Sequence, residues 1–198
     1  MKKFLTLSAA AVAAAIALAG CSAGSGGSMP GMDTGGSGAS TGSAPIAAGD
    51  HNGADTMFVQ GMIPHHSQAV EMSDIILQKQ DIDPRVTALA TKIKAAQAPE
   101  ISTMTEWLKT WNEPEPMASG GMSGTMSSDD MSKLQAAQGA DAAKLFLTQM
   151  IAHHQGAVMM ARTEEADGQN ADAVTLSKEI ITSQQAEIQE MQTLLGSL

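Results

Sequence analysis

Residues 61–72 read GMIPHHSQAVEM and residues 149–160 read QMIAHHQGAVMM. Each stretch places a methionine three positions before a His-His pair and closes on another methionine. The chain has five histidines and spends four of them here. The likeness extends outward. Phe58, Met62, Ile63, His65, His66, Ala69, Val70 and Met72 recur 88 residues later as Phe146, Met150, Ile151, His153, His154, Ala157, Val158 and Met160. Leu89, Ile93, Gln97, Glu100, Ile101, Met104 and Leu108 recur 87 residues later as Leu176, Ile180, Gln184, Glu187, Ile188, Met191 and Leu195. The chain is therefore an internal duplication whose second copy has lost one residue in its central turn.

Each copy reads as a helical hairpin. Phe58, Met62, His65, Ala69, Met72 and Ile76 alternate steps of four and three, which is one face of a helix. Asp83 and Pro84 mark a cap and first helical position for the next helix. In the second copy, Asp141 is the expected cap of a helix running to about residue 166, with Gly168 past its end. Asn170 or Asp172 caps the last helix. Residues 128–137 suggest a short extra helix, separated from the next by Gly139. A chain without tyrosine, and with only three Phe and two Trp, must build its core from Leu, Ile, Val, Ala and Met, which suits helices. The fold class predicted is all-α: a four-helix bundle made of two repeated hairpins, 51–111 and 141–196, joined by a linker over 112–140. The order in which the hairpins pack is left open by so long a linker.

Ahead of the bundle, residues 1–20 read as an export signal, with Lys2 and Lys3 followed by an apolar run. The run ends in LAGC, residues 18–21, which resembles a bacterial lipobox with Cys21 as the lipidated residue. Cys21 is the only cysteine, so the mature protein would have no disulfide and no thiolate ligand. Residues 21–50 form a Gly/Ser-rich tether carrying Met29 and Met32. The expected location is outside the cytoplasm, held to the membrane by lipid. The formal net charge of −10 disfavours nucleic acid as a partner and attracts cations.

The apolar faces are interrupted by His65, Gln97, Glu100, His153, Gln184 and Glu187. Burying such groups without partners is costly, so they must meet one another, water or a metal. Neighbouring residues on a helix point about 100° apart, so only one histidine of each pair can face the bundle axis. Which one does so is not fixed by the sequence. A carboxylate-bridged di-iron bundle would need Glu three residues before His; Met62 and Met150 stand there instead. Thioether and imidazole donors together favour copper. Met117, Met122, Met126 and Met131 recur in the linker, where no core calls for them. With Met29, Met32 and His51 they form a candidate auxiliary set.

These motifs resemble the family called domain of unknown function number 305. The resemblance spans nearly all of residues 50–196. It implies a ferritin-like four-helix bundle, usually exported, with some relatives linked to copper binding and tolerance. The motif positions it carries to this chain are Met62, His65, His66, Met72, Glu100, Met104, Met150, His153, His154, Met160, Glu187 and Met191. The copies differ at Glu71 against Met159, Pro64 against Ala152 and Pro99 against Ala186, which predicts a more open first half. The expected function is an extracytoplasmic copper-binding lipoprotein acting as a buffer or chaperone. A ferritin-like metal oxidase and a purely structural bundle with His–Glu core pairs are the alternatives.

Overall fold

The computed structural model describes residues 50–116 and 123–198. Cys21, Met29, Met32, Met117 and Met122 lie outside the described residues, as do the leader and almost all of the tether. The described residues form five helices: α1 (Gly53–Leu77), α2 (Pro84–Trp111), α3 (Ser128–Ala136), α4 (Gly139–Asp167) and α5 (Ala171–Leu195). The four long ones make the expected bundle. In it α1 packs on α2 and on α4, and α4 packs on α5.

Local chemistry sets the helix ends. Asn52 accepts from the Ala54 and Asp55 amides while Asp55 accepts from the Asn52 amide, a reciprocal capping box. Asp83 caps α2 ahead of Pro84, and Asn112 closes it in the left-handed conformation at φ 56°. Asn170, rather than Asp172, caps α5, and Gly168 follows α4. The start of α4 differs from expectation. Gln138 is the cap and Gly139 is the first helical residue, so Asp141 lies already inside the first turn. Gly139 has φ 52°, which lets a two-residue connection turn sharply from α3 into α4. Both Pro64 and Pro99 stand inside helices that continue past them.

The linker crosses the bundle along α1. Gln60 donates to the Pro114 carbonyl, Gln68 pairs with the Met126 backbone, and Lys79 donates to the Gln135 and Ala137 carbonyls. Of the described linker residues, Pro114 thus lies beside the first half of α1 and Met126 to Ala137 beside its second half, and α4 is entered at the opposite end from the close of α2. This makes α1 and α4 antiparallel neighbours. At one end Asn52 donates to the Asp167 carbonyl, and Asp55 accepts from the Gln169 and Asn170 amides.

The core divides into two apolar clusters. One holds Phe58, Met62, Met104, Ala157, Ala161 and Ile180, with Met160 packed against it. The other holds Ala69, Met72, Ile93, Leu134, Phe146, Met150 and Met191. The duplication explains the division: Met62, Met104 and Met160 in one cluster correspond to Met150, Met191 and Met72 in the other. Burying each of these side chains contributes roughly 1.5–3 kcal/mol. The histidines of α1 and α4 belong to neither cluster.

Candidate metal centre

The four histidines are essentially withdrawn from solvent. His65 from α1 and His153 from α4 meet at a tilt, with ring centroids 3.7 Å apart and planes inclined by 40°. Antiparallel packing of duplicate helices brings equivalent residues together at the local two-fold axis, and the His65–His153 contact marks that axis. The outer histidines point away from it. Within each pair the ring centroids are 6.4 Å apart, with interplanar angles of 55° and 53°. His65 and His153 are therefore the inward members.

His66 and His154 reach the partner helix of their own hairpin. His66 Nε2 lies 2.7 Å from Glu100 Oε2, and His154 Nε2 lies 2.9 Å from Glu187 Oε2. This corrects the His–Glu alternative in one respect: the carboxylates hold the outer histidines, not His65 and His153. A carboxylate only accepts, so each Nε2 carries the hydrogen, and in the neutral ring Nδ1 is then the nitrogen with the lone pair. Glu100 is also less buried than its place on the apolar stripe suggests. Its side chain is 21% exposed, against 6% for Glu187.

Six ring nitrogens in this layer have no hydrogen-bond partner: both of His65, both of His153, and Nδ1 of His66 and His154. Each buried polar atom left unpaired costs about 1–3 kcal/mol. Gln97, with both amide atoms unpaired, and Gln184 Oε1 add to the set. Both glutamines interrupt the apolar stripe as the sequence indicates, but neither is among the motif positions that the family resemblance carries. Burial drives the His65 pKa down to about 3, with His66 and His154 adding to the effect and the nearby Ser123 backbone opposing it. Burial also holds His153 far below the usual range, and lowers His154 despite the opposing pull of Glu187. These three rings are thus neutral near pH 7 and present lone pairs rather than charge.

The fit to a metal follows from these donors. Among the described residues, no three His, Cys, Asp or Glu side chains converge as a ready-made hard-metal cage. What is brought together is a neutral imidazole pair with methionine layers on either side. That set suits a soft ion of low coordination number better than a hard one. Met62, Met72, Met104, Met150 and Met191 are fully buried, and Met160 is half-buried. His51 lies elsewhere: it bonds Glu113 at 3.0 Å and stacks on Trp111, with ring centroids 4.5 Å apart.

The linker covers this layer. Ser123 and Gly124 lie on α4 at Gly156, so closely that a Cβ on Gly156 would sit 2.1 Å from the Ser123 carbonyl oxygen. Gln68 grips Met126 with both amide atoms, at 3.0 and 2.7 Å. Gln68 and Gly156 are repeat counterparts: one holds the strap by its side chain and the other admits it by having none. This departure from the repeat is the only sequence signal of the strap. Half-buried Met126 is thereby fixed beside α1, one turn beyond the histidines.

The sequence pattern of the domain of unknown function family DUF305 matches residues 55–195. The chain belongs to this family. A DUF305 protein of Streptomyces coelicolor has a crystal structure similar to this one, with 33% identity, coverage of 76% of this chain and 95% of that one, and a TM-score of 0.69. CopM in its Cu(I)-bound form is 34% identical over 72% of this chain and 96% of its own, with a TM-score of 0.63. CopM has also been solved with Cu(II), with silver and without metal. A protein of Acanthamoeba polyphaga mimivirus is 46% identical over 50 residues, which is 25% of this chain and 32% of that protein. The matched region thus spans about a third of the length of that curated relative.

Proposed function

We propose that this DUF305 protein binds copper, preferentially Cu(I), and serves as a lipid-anchored buffer or chaperone outside the cytoplasm. The observation that carries the reading is the His65–His153 pair: two neutral, buried imidazoles in contact, whose ring nitrogens make no hydrogen bond of ordinary geometry. A structural role would leave that desolvation cost unrecovered, whereas a soft metal ion uses the lone pairs. His65 and His153 are the proposed central ligands. Met62, Met72, Met104, Met150, Met160 and Met191 supply thioether donors from the two flanking layers. His66 and His154 contribute Nδ1, oriented by Glu100 and Glu187 as a metal-bound imidazole is usually oriented. Met126, in the strap, is an auxiliary donor. Silver and copper complexes of CopM support the choice of soft ions. Among the described residues no helix is long and apolar enough to cross a membrane, so attachment rests on the proposed lipidation of Cys21.

The test is a titration of the domain with Cu(I), Cu(II), Zn(II) and Fe(II), repeated with His65, His66, His153 and His154 changed to Ala. Copper is expected to bind more tightly than zinc, and binding is expected to fall in the quadruple variant. Equal affinity for zinc and copper in both oxidation states, or undiminished binding by a folded variant, overturns the reading.

A further inference from the structure

The two halves of the histidine layer differ in how solvent reaches them. On the first side, Glu100 opens into a groove between α2 and α5 of about 330 Å³, lined with Thr103, Trp107, Asp172, Leu176 and Glu179. Three of its lining residues are carboxylates, and none is a cation. On the second side, Lys92 lies over the equivalent Glu187. Its Nζ is 3.7 Å from Glu187 and 3.1 Å from Glu190.

The repeat turns this into a controlled comparison. At the 87-residue offset, Lys92 corresponds to Glu179 and Arg85 to Asp172. Two positions therefore reverse charge between the copies, and of the two cations Lys92 lies against Glu187 while Arg85 pairs with Asp83. One approach is acidic and leads, through Glu100, to the buried His66 ring 2.7 Å behind it. The other is closed by an ammonium group. The strap closes a third approach, because Ser123 and Gly124 seal the α4 face at Gly156.

We propose that metal cations reach the histidine layer from one side only, through the α2–α5 groove at Glu100, and that Glu179 against Lys92 sets that side. The proposal rests on the metal-binding reading above. A narrow acidic approach raises the local concentration of cations and their rate of entry, whereas Lys92 repels them from the opposite side. Glu179 and Lys92 are guiding residues and need not touch the bound ion. Both are exposed, so their replacement leaves the packing intact.

The test uses Ag(I), which does not change oxidation state, and stopped-flow loading of the full chain. Glu179→Lys is expected to lower the association rate about tenfold at low salt, with stoichiometry unchanged and the effect fading as salt rises. Lys92→Glu is expected to raise the rate by opening the second side. Association rates unaltered by both substitutions overturn the one-sided route while leaving the metal-binding reading intact. A second readout needs no bound metal. With Trp111→Phe, Trp107 is the sole tryptophan, and quenching by Cs⁺ relative to acrylamide reports the field in the groove. Glu179→Lys is expected to reduce the Cs⁺ component alone. If wild-type protein takes up no Ag(I), the metal-binding reading fails, and an unaltered Cs⁺ component then refutes the groove's cation preference as well.

Discussion

Glu164→Gln isolates the energetic consequence of a buried carboxyl pair at the α1–α4–α5 corner. Glu164 is 1% exposed and neither of its carboxyl oxygens makes a hydrogen bond of ordinary geometry; burial and the neighbouring Asp55 carboxyl push its pKa up to about 8. For Asp55, burial acts upward but is outweighed by the nearby Glu164 carboxyl and by the amides of Asn52, Asn170 and Gln169, so its pKa is lowered. Asp55 is therefore the carboxylate, and Glu164 is the neutral acid beside it. An unfolded glutamate ionises near 4.5. Above that pH the unfolded chain releases a proton that the folded chain retains. Stability from this group is thus full below about pH 4.5 and declines as pH rises to about 8. At about 1.4 kcal/mol per pH unit, the decline is on the order of 5 kcal/mol in total and about 3 kcal/mol by pH 7. Glutamine keeps the shape and an N–H for Asp55 but has no proton to retain. Urea unfolding of both proteins from pH 4.5 to 8 gives the difference curve, in which shared titrations cancel. The variant's advantage is expected to grow with pH across that window by several kcal/mol. A flat difference refutes the protonated Glu164–Asp55 pair.

Gly156→Ala would place a Cβ 2.1 Å from the Ser123 oxygen and 2.7 Å from Gly124 Cα. Overpacking should destabilise the protein by roughly 1–3 kcal/mol, and hydrogen exchange at the Met126 amide, which donates to Gln68, should accelerate as the strap lifts. The histidine layer predicts acid sensitivity of the opposite sign to Glu164. His65 stays neutral down to about pH 3 when folded but takes up a proton near 6.5 when unfolded. Stability is therefore full above about pH 6.5 and falls as pH drops, by about 2 kcal/mol for His65 at pH 5. Denaturant titrations of wild type and of the His65→Ala/His153→Ala variant should differ in slope below pH 6.5, with the variant flatter.

The duplication made most of the fold legible. Steps of four and three along Phe58–Ile76 define a buried face, and Asp83-Pro84, Gly168 and Asn170 mark real helix ends. The same repeat picked out the histidines, but local spacing cannot say which ring faces the axis. That was settled by tertiary packing, since antiparallel α1 and α4 bring His65 onto His153. The start of α4 escapes the sequence pattern because a glycine there signals a break, whereas the positive φ of Gly139 lets it begin the helix. The strap was hidden in a Gly/Ser-rich segment without period, and only the Gln68–Gly156 mismatch signals it. Asp55 and Glu164 lie far apart in sequence, with nothing local to pair them. Where the copies disagree, at Lys92 against Glu179 and Gln68 against Gly156, the structure shows different surroundings for equivalent sites.

X-ray absorption at the copper edge of the Cu(I)-loaded protein tests the central claim most directly. The account predicts scattering from both nitrogen and sulfur neighbours, with the nitrogen contribution reduced in a folded His65→Ala/His153→Ala variant. A spectrum from oxygen and nitrogen alone, or one unchanged in that variant, would contradict it.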